Sequence, residues 1–196
     1  MSKKKDYLPT HDHFYGAFAE NPSYYFKEIY ENTDVYRVYC EAFEKDLTSI
    51  ENYQFNDFSF EVGSKSKGLW DLVIKVNAEG MKEKYRRGEY QEVEASANFA
   101  LCIEYKTSIE ESQINELLRQ IENRNIPSYL KKHDTYTHAP VMVLVTFDQR
   151  FEKYRPVIEN ENISLVILDE NKISDIKEKF DLSDSGGKES DLNSFQ

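Results

Sequence analysis

Through the first quarter of the chain, apolar side chains recur at three- and four-residue spacings. Phe14 and Phe18, then Tyr25, Phe26, Ile29 and Tyr30, set one helical face. Asn21-Pro22-Ser23 marks a break and a fresh start, since Pro is tolerated in a first helical turn. From Asp34 the series Val35, Val38, Tyr39, Ala42, Phe43, Leu47 and Ile50 predicts a further helix, so residues 10–50 read as a helical segment.

Around Phe55 the period shortens to two. Phe55, Phe58, Phe60 and Val62 predict a strand ended by the turn residues from Gly63 to Gly68. Leu69 to Val76 predicts a second strand and Phe99 to Lys106 a third. The charged stretch between them, Met81 to Glu94, is either a long hairpin or a protruding loop. Ser108-Ile109-Glu110-Glu111 has the form of a capping box, with Ile114, Leu117, Leu118 and Ile121 on one stripe of the helix it opens. Asn125 to Pro127 ends that helix. The nearly continuous apolar runs Val141–Phe147 and Ile163–Leu168 suit strands covered on both faces.

That order (helices, three strands, helix, strand, helical connection, strand) predicts an α/β chain with a mixed sheet flanked by helices. Residues 1–182 read as a single domain with its sheet core over 54–168. The Ser-, Gly- and Asp-rich residues 183–196 read as a disordered tail. No internal repeat is visible.

The chain has 196 residues, 39 % hydrophobic and 31 % charged, a globular composition rich in Phe and Tyr. No apolar run nears the roughly 20 residues needed to span a bilayer. No apolar segment follows the Lys-rich start, so neither a membrane partner nor a secretory signal is expected. Two cysteines, Cys40 and Cys102, make no disulfide framework and lack metal-ligand spacing, which points to a reducing cytoplasmic setting. The formal charge of −11 speaks against a sequence-independent nucleic-acid coat but leaves room for one basic patch.

Two features carry candidate chemistry. Asp71 interrupts an otherwise apolar strand, and Glu104-Tyr105-Lys106 ends another, with alternation placing Glu104 and Lys106 on one face. If the strands are neighbours, Asp71, Glu104 and Lys106 converge at one sheet edge. Two carboxylates there suit a hard cation, Mg²⁺ or Mn²⁺, and the Lys106 ammonium can offset developing negative charge. Each feature also has an ordinary reading, as a surface Asp or as a simple Glu-x-Lys ion pair.

In order and residue type these elements resemble the PD-(D/E)XK nuclease superfamily, whose restriction-endonuclease-like core places Asp on its second strand and Glu-x-Lys on its third. Leu69-Trp70-Asp71-Leu72-Val73-Ile74 fits the first motif, with Trp70 in place of the usual Pro, and Leu101-Cys102-Ile103-Glu104-Tyr105-Lys106 fits the second. Within the superfamily the chain is most similar to the recombination-promoting, transposase-associated nucleases. His11-Asp12-His13-Phe14-Tyr15 and Leu117-Leu118-Arg119 carry that likeness. The resemblance implies a Mg²⁺- or Mn²⁺-dependent endonuclease acting on nucleic acid, DNA before RNA. Many nucleases of this fold act as dimers, so a homodimer is implied with it.

Such nucleases often take a further polar residue from the helix after the Lys. At about 100° per residue, Gln113, Gln120 and Arg124 form one polar stripe beside the apolar face, with Arg119 on the opposite flank. Gln120 is the favoured catalytic residue and Arg124 a phosphate contact. Lys82, Lys84, Arg86 and Arg87 are candidate nucleic-acid contacts or merely a solvated run. An N-terminal acid commonly completes the metal site, and Glu20, Glu28, Glu41 and Glu44 are candidates. His11, His13, His133 and His138 read as surface or capping residues. Against the enzyme stand two other readings: a nuclease-fold binding module without cleavage, and a purely structural protein.

Overall fold

The computed structural model describes residues 7–33, 47–64, 68–124, 126–132 and 135–182. Two helices, α1 (His11–Glu20) and α2 (Pro22–Asn32), precede a meander of three long strands, β1 (Leu47–Ser64), β2 (Gly68–Arg86) and β3 (Glu89–Lys106). Helix α3 (Ile114–Glu122) follows, then a two-strand ribbon of β4 (Lys131–Lys132) and β5 (Thr135–Tyr136). The chain continues through β6 (Ala139–Thr146), α4 (Arg155–Asn160), β7 (Ile163–Ile167) and α5 (Glu170–Lys179). The main sheet has the order β1-β2-β3-β6-β7. Its first three strands are antiparallel, while β6 and β7 run parallel to β3, so it is a mixed sheet in an α/β fold.

Helices cover both faces. Phe14, Phe18, Tyr25, Phe26 and Ile29 of α1 and α2, with Ile176 of α5, bury Leu72, Ile74, Val76, Phe99, Leu101 and Ile103. Ile114, Leu117, Leu118 and Ile121 of α3, with Ile158 of α4, bury Val73, Ala100, Cys102, Leu144 and Leu165 on the other face. Each fully buried side chain of this size contributes about 1.5–3 kcal/mol through removal from water. At Gly16 of α1 an added Cβ would lie 2.7 Å from the tip of the Phe180 ring, which follows α5 and would have to shift.

Several expectations change. Residues 34–46 of the helix expected from Asp34 lie outside the described residues, and Leu47 to Ile50 open β1 instead of closing a helix. The cap before α3 is Glu110, whose side chain exchanges bonds with Gln113, and a 3₁₀ turn over Glu111–Gln113 leads into the helix. Ser108 is not the cap. Helix α5 is an element that the apolar pattern of the chain does not predict. Residues 183–196 lie outside the described residues.

The charged stretch is a hairpin. Arg87 and Gly88 both take positive φ, 52° and 92°, as a two-residue turn between right-twisted strands requires. The β2–β3 register holds without slip from Leu72↔Ile103 to Arg86↔Glu89. Alternation therefore sorts Lys82, Lys84 and Arg86 to one face of this arm, and Glu83, Glu92 and Glu94 to the other. Tyr85 and Tyr90 pack together at its exposed tip. No helix among the described residues is long and apolar enough to cross a membrane.

Candidate active site

The site forms where the β2–β3 ladder opens. Leu72↔Ile103 is the last backbone pair, which sets Asp71 opposite Glu104. The pleat breaks there. Trp70 packs on the α3 face while Leu72 packs on the α1 face, and their β1 partners Val62 and Phe60 divide the same way. Glu61 lies between those partners with φ of 49°, a conformation that absorbs the extra turn. Asp71 therefore sits at the switch between faces, and its Oδ2 accepts the N–H of Tyr105 at 2.7 Å. A carboxylate takes up the strand amide that a β2 carbonyl would otherwise meet.

Glu104 is 1 % exposed. Its Oε1 accepts Lys106 Nζ at 2.7 Å and Arg124 Nη2 at 2.8 Å, and its Oε2 accepts Arg124 Nη1. Arg124 Nη1 also donates to the Leu69 carbonyl, and the guanidinium lies 5.4 Å from the Trp70 ring centre. Gly68, at φ +89°, makes room for it, since a Cβ there would lie 3.3 Å from Arg124 Nε. Burial and the Asp71 charge hold the Glu104 carboxyl above its usual value, and the two cations limit that rise.

Asp71 is approached from the N-terminal side. Tyr105 Oη and Thr107 Oγ1 both donate to the Pro9 carbonyl, at 2.6 and 3.1 Å, fixing the start of α1 against the end of β3. The Phe14 ring stacks on Tyr105 at 4.6 Å between centres. This clamp puts His11 Nε2 3.6 Å from Asp71 Oδ2. Burial would raise the Asp71 carboxyl, but His11, the Tyr105 amide and Tyr15 outweigh it and hold it low. The Asp71 partner raises His11 in turn. Burial, then the Asp71 charge, pushes the Tyr15 phenol far above its usual value.

Asp71, Glu104 and Lys106 are thus brought together, as the alternation of β3 and strand adjacency led one to expect. The other candidates are placed differently. Gln120 bonds Glu116 on the exposed flank of α3 at 3.0 Å, and Gln113 caps Glu110, so neither is engaged at Glu104. Arg124 lies past the end of α3 and is an internal partner of Glu104, not an outward phosphate contact. At about 3.3 Å per residue, β2 carries Lys82 about 36 Å and Arg86 about 50 Å from Asp71. Lys82, Lys84, Arg86 and Arg87 are exposed, at the far end of the sheet from the carboxylates.

Neither described acidic candidate completes the set. Glu20 pairs with Lys179 at 2.8 Å, and Glu28 pairs with Lys172 and accepts the Asp169 amide. Glu41, Glu44, His133 and Cys40 lie outside the described residues. His13 caps α1 with Thr10, and His138 contacts Thr137. Cys102 is a buried free thiol pushed up to about 12 by burial. His11, expected as a surface or capping residue, lies beside Asp71 instead, and Tyr15 of the same His11–Tyr15 run joins it there.

Among the described residues no three or more His, Cys, Asp or Glu side chains are grouped so that together they could hold a metal ion. The pair Asp71 and Glu104 fits a hard cation that keeps several waters and binds through one or two carboxylates. The fit has one condition: both Glu104 oxygens hold Arg124, so an ion taking one must displace a guanidinium nitrogen. Past Lys106, Thr107 and Ser108 line a cleft of about 760 Å³ with Phe147, Asp148, Arg150 and Lys177. It sits at the carboxyl ends of parallel strands β3 and β6, where open α/β sheets usually take ligands. No family model, curated protein or solved structure matches this chain.

Proposed function

We propose that the chain is a Mg²⁺- or Mn²⁺-dependent nuclease with a restriction-endonuclease-like core, hydrolysing phosphodiester bonds of nucleic acid, DNA first. One observation carries the reading: Asp71 and Glu104 face each other across the open end of β2–β3, with Lys106 Nζ 2.7 Å from Glu104. The element order supports it, since a three-strand meander followed by a helix and a parallel strand is the core that the sequence resemblance implies. The free thiol of Cys102 suits a reducing cytoplasmic compartment.

When bound, the cation would polarise the phosphate and lower the pKa of a coordinated water. The remaining work falls to the chain. Asp71, held ionised by His11 and the Tyr105 amide, presents one carboxylate without needing to shed a proton at neutral pH. Lys106, 30 % exposed, holds its ammonium against Glu104 at the strand end, from where it can meet a non-bridging phosphate oxygen and offset its growing charge. His11, 41 % exposed, can donate to the same region when protonated.

Supercoiled and single-stranded DNA incubated with Mg²⁺ or Mn²⁺ should be cut by the wild type. Cutting should stop with chelator and with Asp71→Asn. A second reading, a nuclease-fold binding module without cleavage, is favoured by the Arg124 fork that already neutralises Glu104. DNA binding without any cleavage would establish it.

A further inference from the structure

Arg124 is held by more groups than a passing ion pair needs. Its two terminal nitrogens grip both oxygens of Glu104, one also donates to the Leu69 carbonyl, and the Trp70 ring lies beside the guanidinium. Gly68 leaves out the side chain that would crowd it. All three of those receptor residues are consecutive in sequence, at the start of β2, immediately before Asp71. Arg124 is 11 % exposed, so the fork is shielded from the water that weakens surface pairs. Arg and Lys only donate, so Glu104 meets its two cations through the same oxygens that a metal would need.

We propose that Arg124 is a built-in counter-cation that competes with divalent metal for Glu104, so that the metal centre opens only as the guanidinium leaves. The proposal rests on the nuclease reading and adds its regulation. A divalent ion arriving at the resting site meets two fixed positive charges on one carboxylate. At Asp71 it meets a carboxylate whose Oδ2 already accepts the Tyr105 amide, with His11 Nε2 3.6 Å away. The consequence is weak metal binding by the protein alone, whatever its strength once Arg124 has moved.

Direct titration with Mn²⁺, without nucleic acid, tests this by calorimetry and by the electron-spin-resonance signal of bound Mn²⁺. Arg124→Gln removes the charge and fork while keeping a donor for Leu69, and should bind Mn²⁺ about tenfold or more tightly than wild type, the scale of one charge-assisted bond. Adding Asp71→Asn to it should abolish the gain. Arg124→Lys, which keeps charge but lacks the planar fork, should fall between, and it serves if Arg124→Gln fails to fold. Equal Mn²⁺ affinity in wild type and Arg124→Gln, lost in Asp71→Asn, would overturn the competition yet leave the nuclease reading intact. Weaker binding in Arg124→Gln would make Arg124 a builder of the site and overturn the competition too. No Mn²⁺ binding by any variant would overturn both.

Discussion

The Tyr105 amide donates to Asp71 Oδ2 across the open end of β2–β3, at 2.7 Å. The bond gives this carboxylate a structural role beside the metal-binding role proposed for it, and two substitutions separate them. Asp71→Asn keeps an oxygen for the amide and should leave stability nearly unchanged while removing metal binding. Asp71→Ala leaves a part-buried N–H unpaired and should cost about 1–3 kcal/mol in urea unfolding. Equal stability of the two variants would show that the bond carries nothing.

The His11–Asp71 pair sets a pH dependence. Asp71 raises His11 above its usual 6.5, so the folded protein holds that proton more tightly than the unfolded chain. The stabilisation is fully present below 6.5 and fades as pH rises through the higher folded value. His11 is 41 % exposed, so solvent keeps the effect below about 1 kcal/mol. The melting temperature of His11→Asn should lie below wild type at pH 5.5, and the gap should close by pH 9. A gap that is constant with pH would assign His11 a packing role only.

Gly68 takes φ of +89° and faces Arg124. Gly68→Ala should destabilise by about 1 kcal/mol or more, since its backbone conformation disfavours any Cβ. The substitution should also loosen Arg124. Thermal unfolding of Gly68→Ala alone, and combined with Arg124→Gln, should show less than additive losses. Strict additivity would mean that the two residues act independently.

The hairpin arm offers a length-dependent test. Its cations stand about 36–50 Å from Asp71 along β2, so a ligand must be long to touch both. Replacing Lys82, Lys84, Arg86 and Arg87 with Gln should flatten the salt dependence of binding to a duplex of about 30 base pairs, by up to about four in slope. Binding of an 8-mer should not change. Equal effects on both lengths, or on neither, would return the arm to a solvated excursion.

Much of the sheet was legible because burial follows strand period. The runs at Leu69–Val76, Phe99–Lys106 and Val141–Phe147 read as strands, and Asp71 and Glu104 stood out as charges inside them. The long continuation of β2 and β3 into the arm was ambiguous because its residues are polar on both faces, leaving no period to read. A helical stripe does not place Arg124, because α3 ends at Glu122 and the 100° rule stops applying there. Gln120 lies on that stripe, but the Glu116 carboxylate four residues back takes its amide. His11 was hidden because its nearness to Asp71 comes from the Pro9 clamp, a contact 96 residues apart in sequence for Tyr105. Helix α5 turns few apolar side chains to the core, Ile173 and Ile176 among charged neighbours, so its stripe is faint.

The most direct test of the account is the rate of supercoiled plasmid nicking by Lys106→Ala against wild type, with Mg²⁺ and with Mn²⁺. The substitution leaves Asp71, Glu104 and Arg124 in place but removes the ammonium 2.7 Å from Glu104. Loss of a transition-state charge contact of this kind should slow cleavage by about 100-fold or more, with DNA binding little changed. Undiminished nicking by Lys106→Ala would contradict the account, as would a wild type that binds DNA and cuts neither DNA nor RNA.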